Sequence, residues 1–493
     1  MTNAKKQLAM LLVLLLLGQT MVACGNGESE TTGGANDTDA TTPETEVETV
    51  DVYAEALAAL PTDKYDDRSF TILTREEVAF EIDTDSATGE TTNDAVYNRN
   101  IKIEELYGIQ IDTVSVGNWD DVTNALRASV TAADHSYDLA GQVDFKTYAV
   151  VSNGLCGNWL ELEQVDTTKE WWASLVNDAA TIHGKLFTAA GDIAITSVLY
   201  TDCMFFNDTM AWDNGIDVDD LQQTVFDGKW TIDYFYNLVA DLYTDENGDG
   251  VKDEGDTYGF AVSPGNVSDG WLTAFGQNLV TVSDDGHITV DMFTEKTVTA
   301  LEKINRLHWE VQGTYNPGAW DLEMARTIKN RNAIFTLGIF NDARTKLADM
   351  EDDFGVLPYP KWDEAQDMYY SGGNDQFTVI VFPIDTVAED YTFLGTITEA
   401  LAIESAKTVR PAFYNSALKN RYSMDANTAE IIDLIMAGRN FDFSFQYGNE
   451  MLVPYVFRNQ IIDQSNDIMS YYEGQKNVID TAIAKVEGYY GIE

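Results

Sequence analysis

Between residues 69 and 140 the chain switches regularly between β-rich and helix-periodic segments, and this alternation most narrows its possible folds. Ser69-Phe-Thr-Ile-Leu-Thr74 is a short β-rich run, and a helix is expected over Thr92–Tyr107, with Val96, Ile101, Ile103 and Leu106 as its apolar side. Gly108-Ile-Gln-Ile-Asp-Thr-Val114 reads as a second strand, Asn118–Ala133 as a second helix, and Tyr137-Asp-Leu-Ala140 as a third strand. Strand, helix, strand, helix, strand is the order of an α/β unit in which helices cover a mainly parallel sheet. The chain has 493 residues, 44% of them hydrophobic and 11% aromatic. That is more than one core usually organises, so two lobes are expected.

The N-terminus is a separate matter. Lys5 and Lys6 precede an apolar run from Leu8 to Leu17, too short for a membrane span, and the run closes on Met21-Val22-Ala23-Cys24. This is the layout of a secretory signal peptide over residues 1–23. The close on Cys24, followed by Gly25-Asn26-Gly27, resembles a bacterial lipobox, which implies that Cys24 is acylated and anchors the mature chain to a membrane. Residues 24–65 are rich in Gly, Thr, Glu, Asp and Ser, with almost no large apolar residue before Val47, and read as a flexible tether.

Charge and cysteine content set further bounds. With 82 acidic against 30 basic residues the formal charge is −52, which argues against nucleic acid or an anionic membrane surface as partner. No Gly-x-Gly-x-x-Gly turn or Walker-type lysine loop supports nucleotide binding. Beyond Cys24 there are two cysteines, Cys156 and Cys203; buried free thiols are expected, although spacing does not decide whether they pair. The four histidines, at 135, 183, 287 and 308, lack metal-ligand spacing.

One segment has the chemistry of a metal loop. Asp245-Glu-Asn-Gly-Asp-Gly-Val-Lys-Asp-Glu-Gly-Asp256 places oxygen side chains at positions 1, 3, 5, 9 and 12 and glycine at 6, a pattern suited to calcium. Asp245, Asn247, Asp249, Asp253 and Asp256 are the candidate side-chain ligands, and Val251 would offer its carbonyl. Asp256 stands where a longer glutamate is usual. The ion's expected role is structural; the plainer alternative is a polar turn without an ion.

Further along, Glu104-Glu-Leu-Tyr-Gly-Ile-Gln-Ile111, Tyr137-Asp-Leu139, Leu160-Glu-Leu162 and His183-Gly-Lys-Leu-Phe-Thr188 follow one another. Arg331-Asn-Ala-Ile-Phe-Thr336, Phe354-Gly-Val-Leu-Pro-Tyr-Pro360 and Leu394–Glu404 then continue the series. In this order and spacing the chain resembles the extracellular solute-binding proteins of ABC transporters, closest to the carbohydrate-binding family 1 that includes maltose-binding protein. The resemblance implies a two-lobe α/β fold, the type II periplasmic-binding-protein-like architecture, with a ligand cleft between lobes joined by chain crossovers. It places lobe one at 66–193 plus 336–385 and lobe two at 194–335 plus 386–493. It also implies a monomeric, non-enzymatic lipoprotein on the extracytoplasmic face of a bacterial membrane. Such a protein would capture a sugar, an oligosaccharide foremost, and deliver it to the transmembrane permease subunits. A peptide or other non-sugar solute, a surface glycoside hydrolase and a calcium-bearing adhesin are the alternatives.

Sugar sites combine flat aromatic rings with carboxylates, amides and arginine, and in an open α/β lobe they lie beyond the carboxyl ends of strands. That rule selects Arg75 and Glu76 after the first strand, Trp119 after the second and Asp144 after the third. Asp269 and Trp271 are selected from the loop Ser263–Trp271, with Trp320, Asn374 and Asp375 from the returning segments. Arg410 and Tyr414 are selected at a late helix end. Trp171 and Trp172, inside an amphipathic segment, are expected to pack.

Overall fold

The computed structural model describes residues 51–321, 323–413 and 426–492. The expected signal peptide, Cys24, Tyr414 and most of the expected tether lie outside the described residues. Among the described residues the compact unit beginning at Asp51 holds two large sheets and a two-stranded one, formed by Val280–Val282 and Ile288–Val290. The strands, in chain order, are β1 Arg68–Arg75, β2 Ile109–Val116, β3 Leu139–Val143, β4 Asp202–Asn207, β5 Tyr243–Thr244 and β6 Thr257–Ala261. They continue with β7 Val280–Val282, β8 Ile288–Val290, β9 Thr314–Tyr315, β10 Ala333–Ile339, β11 Phe354–Leu357 and β12 Thr378–Val381.

Sheet one has the order β12-β3-β1-β2, with β1 parallel to both neighbours and β12 antiparallel to β3. The helix Thr91–Tyr107 ends because Gly108 adopts φ 62°, a left-handed conformation that costs glycine nothing, and its N–H returns to the Glu104 carbonyl. That reversal sends the chain directly into β2. The helix Trp119–Ala132 begins where the Asn118 side chain accepts from the N–H groups of Asp120 and Asp121. All five residues of β3 are buried, as expected of a strand covered on both faces.

Sheet two has the order β11-β4-β10-β6-β5, with β9 also pairing β6; β10 runs parallel to β6, while β4 is antiparallel to β10 and β11. Its core gathers Phe205, Phe206, Trp230, Phe235, Phe260 and Phe335, whereas a second core gathers Phe70, Ile72, Trp159, Phe393 and Ile397 beside sheet one. Among the described residues no helix is long and apolar enough to cross a membrane.

Three sequence-based boundaries shift. Residues 52–59 form a helix rather than part of a tether: Asp51 caps it and pairs with Lys407, while Tyr53, Ala56 and Leu57 rest on the sheet-one core. β10 and β11 both belong to sheet two, so residues 336–357 are not part of lobe one, and the chain recrosses only at Gly372–Phe377. The helix Tyr391–Glu404, expected in lobe two, is buried on nearly every side against the sheet-one core. Its apolar residues fall on all sides, so it has to be enclosed.

Cys156 and Cys203 are free and buried. Trp171 and Trp172 are buried as expected, both donating their indole N–H groups to Glu399. Burial pushes that carboxyl up to about 7, against the pull of the two indoles.

Phe335 is fully buried and meets Phe235 edge-on at 5.6 Å. Phe335→Ala is expected to lower unfolding stability by about 3–5 kcal/mol through lost burial and the cavity left behind, read as a reduced denaturant midpoint.

Candidate functional site

The ends of both sheets meet at the Gly372–Phe377 crossover, which is hydrogen-bonded from each side. From sheet one, the N–H of Asp144 donates to the Phe377 carbonyl at 3.0 Å and that of Phe145 to the Asp375 carbonyl at 3.1 Å. From sheet two, the Asp202 N–H donates to the Gly372 carbonyl at 3.0 Å, and the Asn374 N–H donates to the Tyr200 carbonyl at 2.8 Å. Gly373 lies against Phe441, whose ring would stand 2.3 Å from an added Cβ, so a side chain there would force the crossover away. Because Ile339 pairs with Asp202 and Thr378 pairs with Val143, these contacts gather at the carboxyl ends of β10 and β3.

Two cavities flank the crossover. A narrow one, about 20 Å³, is lined by Asp144, Asp202, Asp269, Gly372, Phe441 and Gln446. A wider one, about 190 Å³, is lined by Val262, Asn266, Asp321, Gly338, Asn374 and Gln376, among others.

Carboxyl groups dominate the narrow cavity. Burial raises Asp144 well above the usual carboxylate range, opposed by the Gln446 amide, which donates to it at 2.9 Å, and reinforced by the charge of Asp375. Asp202 is raised well above that range by burial and by the charges of Asp269, Asp375 and Asp342. Asp269 is raised by burial, against its ion pair with Arg458, and Asp375 by burial, against the Tyr455 hydroxyl that donates to it at 2.7 Å. The Arg458 guanidinium stacks between Trp320 and Tyr455, 4.8 and 4.5 Å from the ring centroids. It also donates to Asn266.

The structure therefore places Asp144 and Asp269 in the narrow cavity, Asn374 in the wider one and Asp375 on the crossover between them, with Trp320 half-exposed against Arg458. Trp119 joins at one remove, edge-on to Phe145 at 5.4 Å. Arg75 is fully buried, bonded to Glu77, the Gln376 carbonyl and Thr378, so it braces the crossover instead of facing solvent. Glu76 next to it is exposed.

Two expected site residues lie elsewhere. Trp271 is fully buried among Phe275, His308 and Tyr359: its helix Gly270–Ala274 turns it into the sheet-two core, leaving no face for a ligand. Arg410 pairs with Asp192 and reaches the Tyr53 hydroxyl, fastening the Val52–Ala59 helix outside the cleft.

Sequence reasoning passed over Asp202, Gln446, Tyr455 and Arg458. Asp202 opens β4 and so escapes a rule based on the carboxyl ends of strands; its antiparallel pairing with Ile339 brings it to the carboxyl edge of β10. A usable signal did exist in Phe441-Asp-Phe-Ser-Phe-Gln446, a concentrated aromatic and polar run.

In the 245–256 loop, Asp245 accepts from the N–H groups of Gly248 and Gly250, Asn247 from that of Asp249, and Asp249 from that of Val251. Gly248 and Gly250 adopt φ 74° and 76°, which tightens the turn. Asp256 is fully buried and accepts from the Tyr243 and Tyr258 hydroxyls and the Glu246 N–H. Among the described residues no group of three or more His, Cys, Asp or Glu side chains is gathered closely enough to hold a metal.

No protein-family model matches the chain, and comparison with curated proteins finds no relative. Solved structures do match. UgpB from Mycobacterium tuberculosis, in complex with glycerophosphocholine, superposes with a TM-score of 0.56 at 13% identity, covering 85% of this chain and 99% of its own. The cyclic alpha-maltosyl-1,6-maltose binding protein from Arthrobacter globiformis gives the same four values. An ABC transporter solute binding protein from Thermotoga lettingae TMO, bound with alpha-D-tagatose, gives 0.52 at 16% identity over 86% of this chain and 100% of its own.

Each carboxyl raised in the folded state holds its proton to higher pH than in the unfolded chain. The associated stability is full below the ordinary carboxylate range and is lost as pH rises through the raised range. Melting temperature is thus expected to fall from pH 4 to pH 8, and Asp202→Asn should flatten that fall, as followed by calorimetry at each pH. The fold is that of the two-lobe solute-binding proteins of ABC transporters.

Proposed function

We propose that this chain is an extracytoplasmic solute-binding lipoprotein of an ABC importer that captures a carbohydrate and passes it to the permease without chemical change. The observation that carries this reading is the convergence of Asp144, Asp269, Asn374 and Asp375 on the crossover between two sheets, with Trp320 held half-exposed beside them. Carboxylates, an amide and an open indole face are what a hydroxyl-rimmed, C–H-faced ligand needs. The fold supports it as well: solved proteins of similar fold are described with maltotetraose and with alpha-D-tagatose. Cys24 would carry the lipid, and the segment up to Val50 would link it to the binding unit. Binding would act by favouring one arrangement of the two lobes over another, which the permease reads.

Residues 25–493, screened by thermal unfolding against mono- and oligosaccharides, are expected to gain several degrees with one glycan family and to leave it chemically intact. A ligand at about 100 times its dissociation constant adds ~2.7 kcal/mol. Silence across saccharides, or release of cleaved product, would overturn the reading.

Calcium belongs to the same proposal. The all-oxygen set of Asp245, Asn247, Asp249 and Asp253 with the Val251 carbonyl suits a hard cation. These oxygens keep lone pairs beyond those that cap the loop's own N–H groups. Asp256, held by two tyrosine hydroxyls, would brace the loop or complete the set. Bound calcium would stiffen the connection between β5 and β6. Chelation is expected to lower the melting temperature of calcium-saturated protein, and an unchanged melt would leave a plain turn.

A further inference from the structure

Three side chains that line the narrow cavity carry an acceptor that no donor reaches. Asp202 is only 4% exposed and lines the cavity, yet among the described residues no donor reaches its carboxylate. Asp269 uses one carboxylate oxygen on Arg458, and its Oδ1 is buried without a partner. Gln446 is 3% exposed and commits its Nε2–H to Asp144; its Oε1, buried in the cavity wall, has no donor.

Three side chains with an unpartnered acceptor, on three chain segments, therefore line one space. Leaving the hydrogen bonds unmade is costly for Asp269 Oδ1 and Gln446 Oε1, because a buried acceptor forfeits its hydration. What is missing is a compact group that only donates. A hydroxyl brings one donor and adds two more lone pairs, whereas an ammonium brings three donors and none. Its positive charge also suits a wall on which Asp144, Asp202 and Asp269 stand together and Asp269 is paired with Arg458, because a bound cation would favour the ionised form of each carboxyl.

Size and walls agree. A cavity of about 20 Å³ has room for one or two water-sized groups, which admits a primary ammonium and excludes a sugar ring. Phe377, Phe441, Phe443 and Phe445 also line it, and aromatic faces attract a cation brought near them.

We propose that this pocket receives a protonated amine, so that the captured solute is an amine-bearing saccharide with its ring outside the narrow cavity. The inference rests on the carbohydrate reading above and narrows it to a ligand class.

Three β-1,4-linked oligomer series differ only at the sugar C2: cellulose oligomers carry hydroxyl, chitosan oligomers carry ammonium, and chitin oligomers carry N-acetyl. Titration calorimetry on residues 25–493 at pH 6.5 with all three, and with spermidine, tests the proposal. Chitosan oligomers are expected to bind at least tenfold tighter than cellulose oligomers of equal length, with chitin oligomers weaker still. Asp202→Asn should erase that preference while melting at or above the parent temperature at pH 8, which separates lost recognition from lost folding. Neutral oligomers binding as tightly as the amines would overturn the proposal and leave the carbohydrate reading standing. Spermidine binding without any saccharide would keep the ammonium pocket and remove the carbohydrate reading. An undiminished preference in Asp202→Asn, or no binding in any series, would overturn the proposal.

Discussion

The five residues from Gly372 to Gln376 are the constraint on which the rest of the site depends. Their backbone is tied to the end of β3 through Asp144 and Phe145, and to the start of β4 through Tyr200 and Asp202. A second strap comes from the other side, where the Asn440 N–H donates to the Ser371 carbonyl. Backbone bonds of this kind are obligatory once the groups are buried, so the crossover cannot shift without unmaking several together. The consequence is electrostatic. Four carboxyl groups from four segments are held near one another by backbone geometry, whatever their mutual repulsion.

Local structure was readable to a large extent in the first third of the chain. β1, β2 and their helices fall within two residues of the expected bounds, because Asn118 caps one helix and Gly108 stops the other by mechanisms visible in the residues themselves. The lobe boundaries were not readable, for a different reason. Phe335 pairs with Phe206 and Phe354 with Asn207, contacts that span more than a hundred residues and leave no local trace. Arg331–Thr336 therefore looked like the end of a lobe, whereas it enters the strand β10 in the middle of sheet two.

The candidate residues divide along the same line. Asp144 and Asp375 followed from the rule that ligands gather at carboxyl ends of strands, and both are at the crossover. Trp271 obeyed the same rule and failed, since a short helix rotates it into an aromatic cluster. Arg75 sits one step from the site, yet its guanidinium is consumed by the Gln376 carbonyl and Thr378. Position along a strand can be inferred from residues; the direction in which a side chain finally points is a packing result.

Binding and stability are supplied by different parts of this molecule. Two aromatic-rich cores, one beside each sheet, bury the apolar surface that holds the unit together. Neither core needs Asp144, Asp202 or Asp269, whose burial works against the folded state because a desolvated carboxylate is paid for or protonated. A sequence free to choose stability alone would place apolar residues there, as replacement of buried ionic groups by well-packed hydrophobes is often neutral or stabilising. Local violations of that preference belong at functional sites. Here Asp202 lines a single small cavity at the junction of the sheets together with Asp269 and Gln446, each of which has a buried oxygen without a partner. A ligand that satisfies them gains the hydrogen bonds that the folded chain alone leaves unmade, so the cost of folding around this cavity becomes selectivity for whatever fills it.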